Sequence, residues 1–143
     1  MIYIDTSCLL KLLIEEPESA DVREAVASEE TVIVSALAEL ETEVQLKSLY
    51  LGGILRLSQW RQYQARFTAL RNIDPFHFRG LSGGVFLSAL RQQRRPDAHY
   101  CRSLDRLHLA AMEELKVTRL LTHDREQADA GRAIGFDVVC PGF

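Results

Sequence analysis

The first ten residues, MIYIDTSCLL from Met1 to Leu10, decide the fold class. Ile2-Tyr3-Ile4 is a short β-prone run. Asp5, Thr6 and Ser7 are helix-capping types, after which Leu9, Leu10, Leu12 and Leu13 continue as a helical stretch. Strand, polar cap, helix is one half of a β-α-β unit, and the same order recurs further on. Thr31-Val32-Ile33-Val34 is almost wholly β-branched, which suits a strand buried on both faces, and Ser35 is placed to cap a helix that Gly52-Gly53 stops after Leu51. Thr118 to Thr122 is a third β-like run. Asp124 then opens a helix that Gly135 closes, and Phe136 to Val139 reads as a last strand.

The stretches between complete the pattern. Pro17 opens a helix to about Ser28, and Ser58 is placed to cap another whose Trp60, Tyr63, Phe67 and Leu70 share one stripe. A shared stripe reads as core rather than as a base-stacking platform. Asn72 to Phe78 is irregular, with room for a short edge strand near Pro75. Ser82 to Arg95 is helical up to Pro96, and Ser103 is placed to cap a helix through Lys116. Strands separated by helices predict an α/β fold with a parallel sheet of about four to five strands and helices on both faces. Ligands of such sheets gather at the carboxyl ends of the strands.

At 143 residues and 47% hydrophobic, the chain suits one domain spanning 1–143 with its own core. Cys8, Cys101 and Cys140 form no CxxC pair, and the four histidines lack zinc-like spacing, so reduced thiols in a cytoplasmic protein are expected. The apolar run Cys8 to Ile14 is broken by Lys11 and is too short to span a bilayer. The net charge of −3 hides a segregation. Residues 1–43 hold 11 Asp+Glu against 2 Lys+Arg, whereas residues 44–104 hold 10 Lys+Arg against only Asp74 and Asp97. An arginine-rich middle, including Arg91 to Arg95, is able to contact phosphates around an acidic centre. A solvated helix face is the plainer reading of the same charges.

Four acidic residues then stand out. Asp5 ends the first strand and Asp124 follows the run ending at Thr122, so both project at the carboxyl edge, where each also suits a helix cap. On the helix after Ser35, with about 100° per residue, Leu37, Leu40, Val44, Ser48 and Leu51 define one face. Glu41 falls at its edge, while Glu39 and Glu43 point the other way. Asp105 lies on a helix apolar around most of its circumference, with Arg106, Glu113 and Glu114 left for water; a first-turn acid there also suits the helix dipole. His108 sits amid that apolar face and reads as a satisfied core histidine. Carboxylates that converge need a cation, because close like charges raise one another's pKa. Oxygen-only ligation points to Mg²⁺ or Mn²⁺, and an open site of that kind points to metal-assisted cleavage of a phosphodiester.

MIYIDTS at the start, SALAELE before the third helix, SLDRLHLAAM, and LLTHDREQADAGRAIGFDVVCP near the end together resemble PIN-domain proteins, specifically ribonuclease toxins of the VapC type. The resemblance spans nearly the whole chain in order, although the segment from about Leu55 to Arg95 carries no motif. It implies that Asp5, Glu41, Asp105 and Asp124 bind Mg²⁺ or Mn²⁺, with Thr6, Ser7 and Thr122 as polar support. The family spacing, six residues after the strand-ending Ser35, also selects Glu41. It further implies cleavage of single-stranded RNA by a metal-activated water, a cognate VapB-like antitoxin, and a homodimer. Two other readings compete: a phosphohydrolase of the haloacid dehalogenase kind, for which Ser7 stands where a second aspartate is needed, and a non-catalytic Mg²⁺-binding RNA or signalling domain.

Overall fold

In the computed structural model, which describes residues 1–142, the strands are β1 (Ile2–Ile4), β2 (Val32–Ser35), β3 (Phe76–Arg79), β4 (Arg119–Leu121) and β5 (Asp137–Val139). The helices are α1 (Thr6–Leu13), α2 (Ser19–Ala27), α3 (Ala36–Leu51), α4 (Leu57–Ala69), α5 (Gly84–Gln93), α6 (Ser103–Glu114) and α7 (Arg125–Ala133). All strand pairs are parallel, in the order β3-β2-β1-β4-β5. The chain therefore lays down β1, adds β2 and β3 on one side, and crosses to the other side for β4 and β5. That reversal makes the carboxyl ends of β1 and β4 a topological switch point, the place where such sheets open a crevice.

Period-two alternation along the strands separates two cores. Ile2, Ile4, Val32, Val34 and Leu121 face a cluster with Leu9, Val22, Leu46 and Phe67, and the aromatic stripe of α4 packs there as expected. Tyr3, Ile33 and Leu120 face a second cluster with Val85, Leu109, Met112 and Ala130. β1 and β2 are buried throughout, whereas β3 alternates between half-buried and exposed, as an edge strand does. Gly135 closes α7 at φ 98°, a conformation that glycine adopts without a Cβ penalty.

Four local expectations are corrected. The packed stripe of α3 is Ala38, Thr42 and Leu46, each 0% exposed, while Leu40 and Val44 are 62% and 58% exposed. The i, i+4, i+8 row turns inward, so the face drawn through Leu40 and Val44 is not the buried one. Helix α4 starts earlier than Ser58, with Arg56 as its N-cap, because Gln59 Oε1 reaches back to accept the Arg56 amide at 2.9 Å. Arg102, not Ser103, caps α6. Arg106 is buried rather than solvated, since the segment entering α6 folds over it and His99 O accepts from its Nη2 at 2.8 Å.

Candidate active site

Asp5 leaves β1 in an extended conformation and its side chain caps α1, accepting the Cys8 amide at 3.2 Å. Its Oδ1 also accepts from Ser7 Oγ at 2.6 Å, and its Oδ2 accepts from Thr122 Oγ1. Those hydroxyls are themselves fixed by backbone: Ser7 Oγ accepts from His123 N at 2.9 Å and Thr122 Oγ1 from Asp124 N at 3.0 Å. Asp124 caps α7 through Gln127 N at 3.0 Å. Capping and the sheet-edge position are thus compatible: one oxygen terminates a helix while the carboxylate stays at the crevice.

Glu41 and Asp105 arrive from α3 and α6. All four acids, with Thr6, Ser7, Gln45, Arg102 and His108, line one cavity of about 200 Å³. Glu39 and Glu43 do not; Glu39 pairs with Arg71, and Glu43 accepts from Gln64 at 3.3 Å. The supporting Thr122 lies just behind, fully buried. A larger groove of about 470 Å³ runs beside Leu12, Val26 and Ile73, but it is mostly apolar and gathers no carboxylate cluster.

The electrostatics follow from burial and partners. Desolvation raises the Asp5 carboxyl, against the lowering effect of the Ser7 and Thr122 hydroxyls. Burial also pushes Glu41 upward, yet donation from His108 and Thr6 outweighs it and leaves that carboxyl below its usual range. Arg102 supplies the cationic charge at the mouth: Nε lies 3.0 Å from Asp105 Oδ2 and Nη2 lies 3.2 Å from Asp124 Oδ2. Among the described residues no group of three or more His, Cys, Asp or Glu side chains is arranged to hold a metal ion as the side chains stand. The donor chemistry nevertheless fits a hard divalent cation, because four carboxylates and neighbouring hydroxyls converge and one carboxylate is buried at a cost that a cation relieves.

Two contributors escape sequence reasoning. Arg102 is one of ten basic residues in its segment, and only its place three residues before Asp105 hints at the pairing. His108 is a satisfied core histidine, buried to 3% exposure, but its partners are Tyr3 and Glu41, which no local pattern reveals.

Comparison with known proteins gives a consistent frame. The family model described as PIN domain matches residues 2–133. Ribonuclease VapC46 of Mycobacterium tuberculosis is 31% identical over 142 residues, covering 98% of this chain and 97% of its own. The crystal structure of VapC20 from M. tuberculosis, described as a sarcin-ricin loop cleaving toxin, superposes with a TM-score of 0.72 at 20% identity, over 99% of this chain and 100% of that one. A toxin-antitoxin complex from Klebsiella pneumoniae superposes with a TM-score of 0.66 at 20% identity, over 99% and 98% of the two chains. At that identity the two structural likenesses speak to the fold.

Proposed function

The chain belongs to the PIN-domain family, and from that membership we propose that it is a VapC-type, divalent-metal-dependent endoribonuclease, with Asp5, Glu41, Asp105 and Asp124 as its cation-binding and catalytic residues. The observation that carries this reading is the convergence of four carboxylates, from three helices and a strand end, on one cavity at the switch point. The cation is Mg²⁺ or Mn²⁺, since every donor in the set is a hard oxygen. We read the whole span 1–143 as one PIN domain.

When bound, the cation supplies Lewis-acid polarisation of the scissile phosphate and acidification of water. The protein's part is positional. Asp5 is held by Ser7, Cys8 and Thr122, and Asp124 by the first turn of α7, so neither carboxylate has to be ordered on binding. Arg102, 64% exposed at its side chain, stands at the mouth where an RNA phosphate enters. Ser7 stands where a phosphohydrolase of the haloacid dehalogenase kind needs its second aspartate, which disfavours that reading.

The partners follow from the same reading: single-stranded RNA as substrate, a VapB-like antitoxin, and a second copy of the chain. No helix among the described residues is long and apolar enough to cross a membrane. The cytoplasm is assigned from the proposed substrate, cellular RNA. The test is cleavage of total cellular RNA with Mg²⁺ or Mn²⁺, with and without EDTA, by wild type and Asp5→Asn. Metal-dependent cleavage lost in the variant is expected. Cleavage that survives EDTA, or that Asp5→Asn retains, contradicts the proposal.

A further inference from the structure

Behind Glu41 runs a buried chain of polar groups in which each hydrogen has one destination. Ser35 Oγ, as N-cap of α3, accepts the Ala38 amide at 3.1 Å and lies 2.6 Å from Tyr3 Oη. Tyr3 Oη is 2.6 Å from His108 Nδ1, and His108 Nε2 contacts Glu41 Oε1. Thr6 Oγ1 reaches the same Oε1 at 3.0 Å. Tyr3 and Ser35 are both 0% exposed.

The direction of the chain follows from what each group is able to donate. A carboxylate only accepts, so Nε2 carries a hydrogen. The Tyr3 phenol is fully buried with Ser35 and His108 as its partners, so it keeps its O–H: a phenolate there would be a charge taken out of water. If Ser35 donates to Tyr3, Tyr3 donates to Nδ1, and Nε2–H donates to Glu41, all the hydrogens find acceptors. In the reverse order the Ser35 hydroxyl hydrogen is left, in a fully buried place, without an acceptor among the described residues. Both donors to Glu41 converge on Oε1, and Oε2 makes no hydrogen bond among the described residues.

We propose that His108 is a positioning residue for Glu41: the cap of α3, relayed through Ser35 and Tyr3, fixes the imidazole as an Nε2–H donor that clamps one carboxylate oxygen and leaves the other for a divalent cation. The clamp ties β1, β2, α3 and α6 to one ligand, so the fold itself sets the aim of Glu41. Groups that orient a metal ligand from behind in this way govern metal affinity without touching the metal. The inference rests on the ribonuclease reading above, because it gives Glu41 a cation to hold.

The test is calorimetric titration of the full chain with Mn²⁺, beside metal-free melting, for wild type, Asp5→Asn, His108→Leu, His108→Gln and Tyr3→Phe. His108→Leu is expected to weaken Mn²⁺ binding about 10- to 100-fold. Tyr3→Phe, which removes a single hydroxyl, weakens it less while the chain stays folded. His108→Gln, whose amide nitrogen stands near the imidazole Nε2 position, recovers most of the affinity, a rescue that a packing role does not produce. Pulsed electron paramagnetic resonance of bound Mn²⁺ is expected to show no directly coordinated nitrogen. The proposal is overturned if His108→Leu and Tyr3→Phe bind Mn²⁺ like wild type while Asp5→Asn has lost it, or if a ligated histidine nitrogen appears. Wild type that binds no Mn²⁺ at all overturns the metal reading together with this one.

Discussion

Asp5 is a buried carboxylate, 5% exposed, whose pKa is raised chiefly by desolvation. A raised folded-state pKa means that the native state holds the proton more tightly than the unfolded chain. The stability this group contributes is therefore complete below its ordinary value of 3.8 and is lost as pH rises through the folded-state value. Asn keeps the cap on Cys8 N and removes the charge. Without metal, Asp5→Asn is expected to melt at or above the wild-type temperature at pH 7, with the gap closing as pH falls towards 4. A gap that widens on acidification, in thermal scans at the two pH values, contradicts the assignment. Asp5→Ala, by contrast, also loses the cap and should cost about 1 kcal/mol relative to Asn. Arg102 offers a second test at this scale, since its guanidinium neutralises Asp105 and Asp124 where a cation is expected. Arg102→Gln should lower metal-free stability slightly and tighten Mn²⁺ binding by no more than about fivefold, the limit for a solvent-screened ion pair. Calorimetry showing weaker Mn²⁺ binding would place Arg102 on the side of assisting the cation rather than replacing it.

Helix α7 carries Asp124 as its N-cap, and its seat on the sheet depends on Gly131. A Cβ there would lie 3.3 Å from Val138 Cγ2 and 3.4 Å from both Leu109 Cδ2 and Leu120 Cδ2. The missing side chain lets the helix approach β4, β5 and α6 closely, at the price of weaker intrinsic helicity. Gly131→Val forces two further methyl groups into that contact and should destabilise the protein by about 1–3 kcal/mol in urea denaturation. An unchanged urea midpoint would show that the contact relaxes without loss. Element ends matter more here than element middles, because Asp5 and Asp124 are both N-caps and both line the cavity.

At the scale of the whole molecule, charge is segregated along the chain, acidic over residues 1–43 and basic over residues 44–104. Arg91, Arg94 and Arg95 are exposed around the end of α5. If they contact RNA phosphates, the affinity of the Asp5→Asn protein, measured without divalent metal, for single-stranded RNA falls with salt, and Arg94→Ala reduces the log–log slope by about 0.7. Filter binding at several salt concentrations measures both quantities. A slope untouched by the substitution makes the stretch a solvated helix face.

The alternation of β-branched runs with capped helices determined the α/β class and the parallel sheet, because propensity, capping and period are local properties that each residue carries with it. The strand-end placement of Asp5 and Asp124 was legible for the same reason. Glu41 was singled out on a face that proved exposed, and what separates it from Glu39 and Glu43 is the α3 stripe of Ala38, Thr42 and Leu46, settled only when the helix packed. The Arg102 bridge to Asp124 and the chain from Ser35 through Tyr3 and His108 to Glu41 join residues up to 105 positions apart. Such contacts exist only after the crossover from β3 to β4 brings the two halves of the sheet together, since hydrogen-bond geometry is a matter of ångströms and local sequence sets direction, not distance.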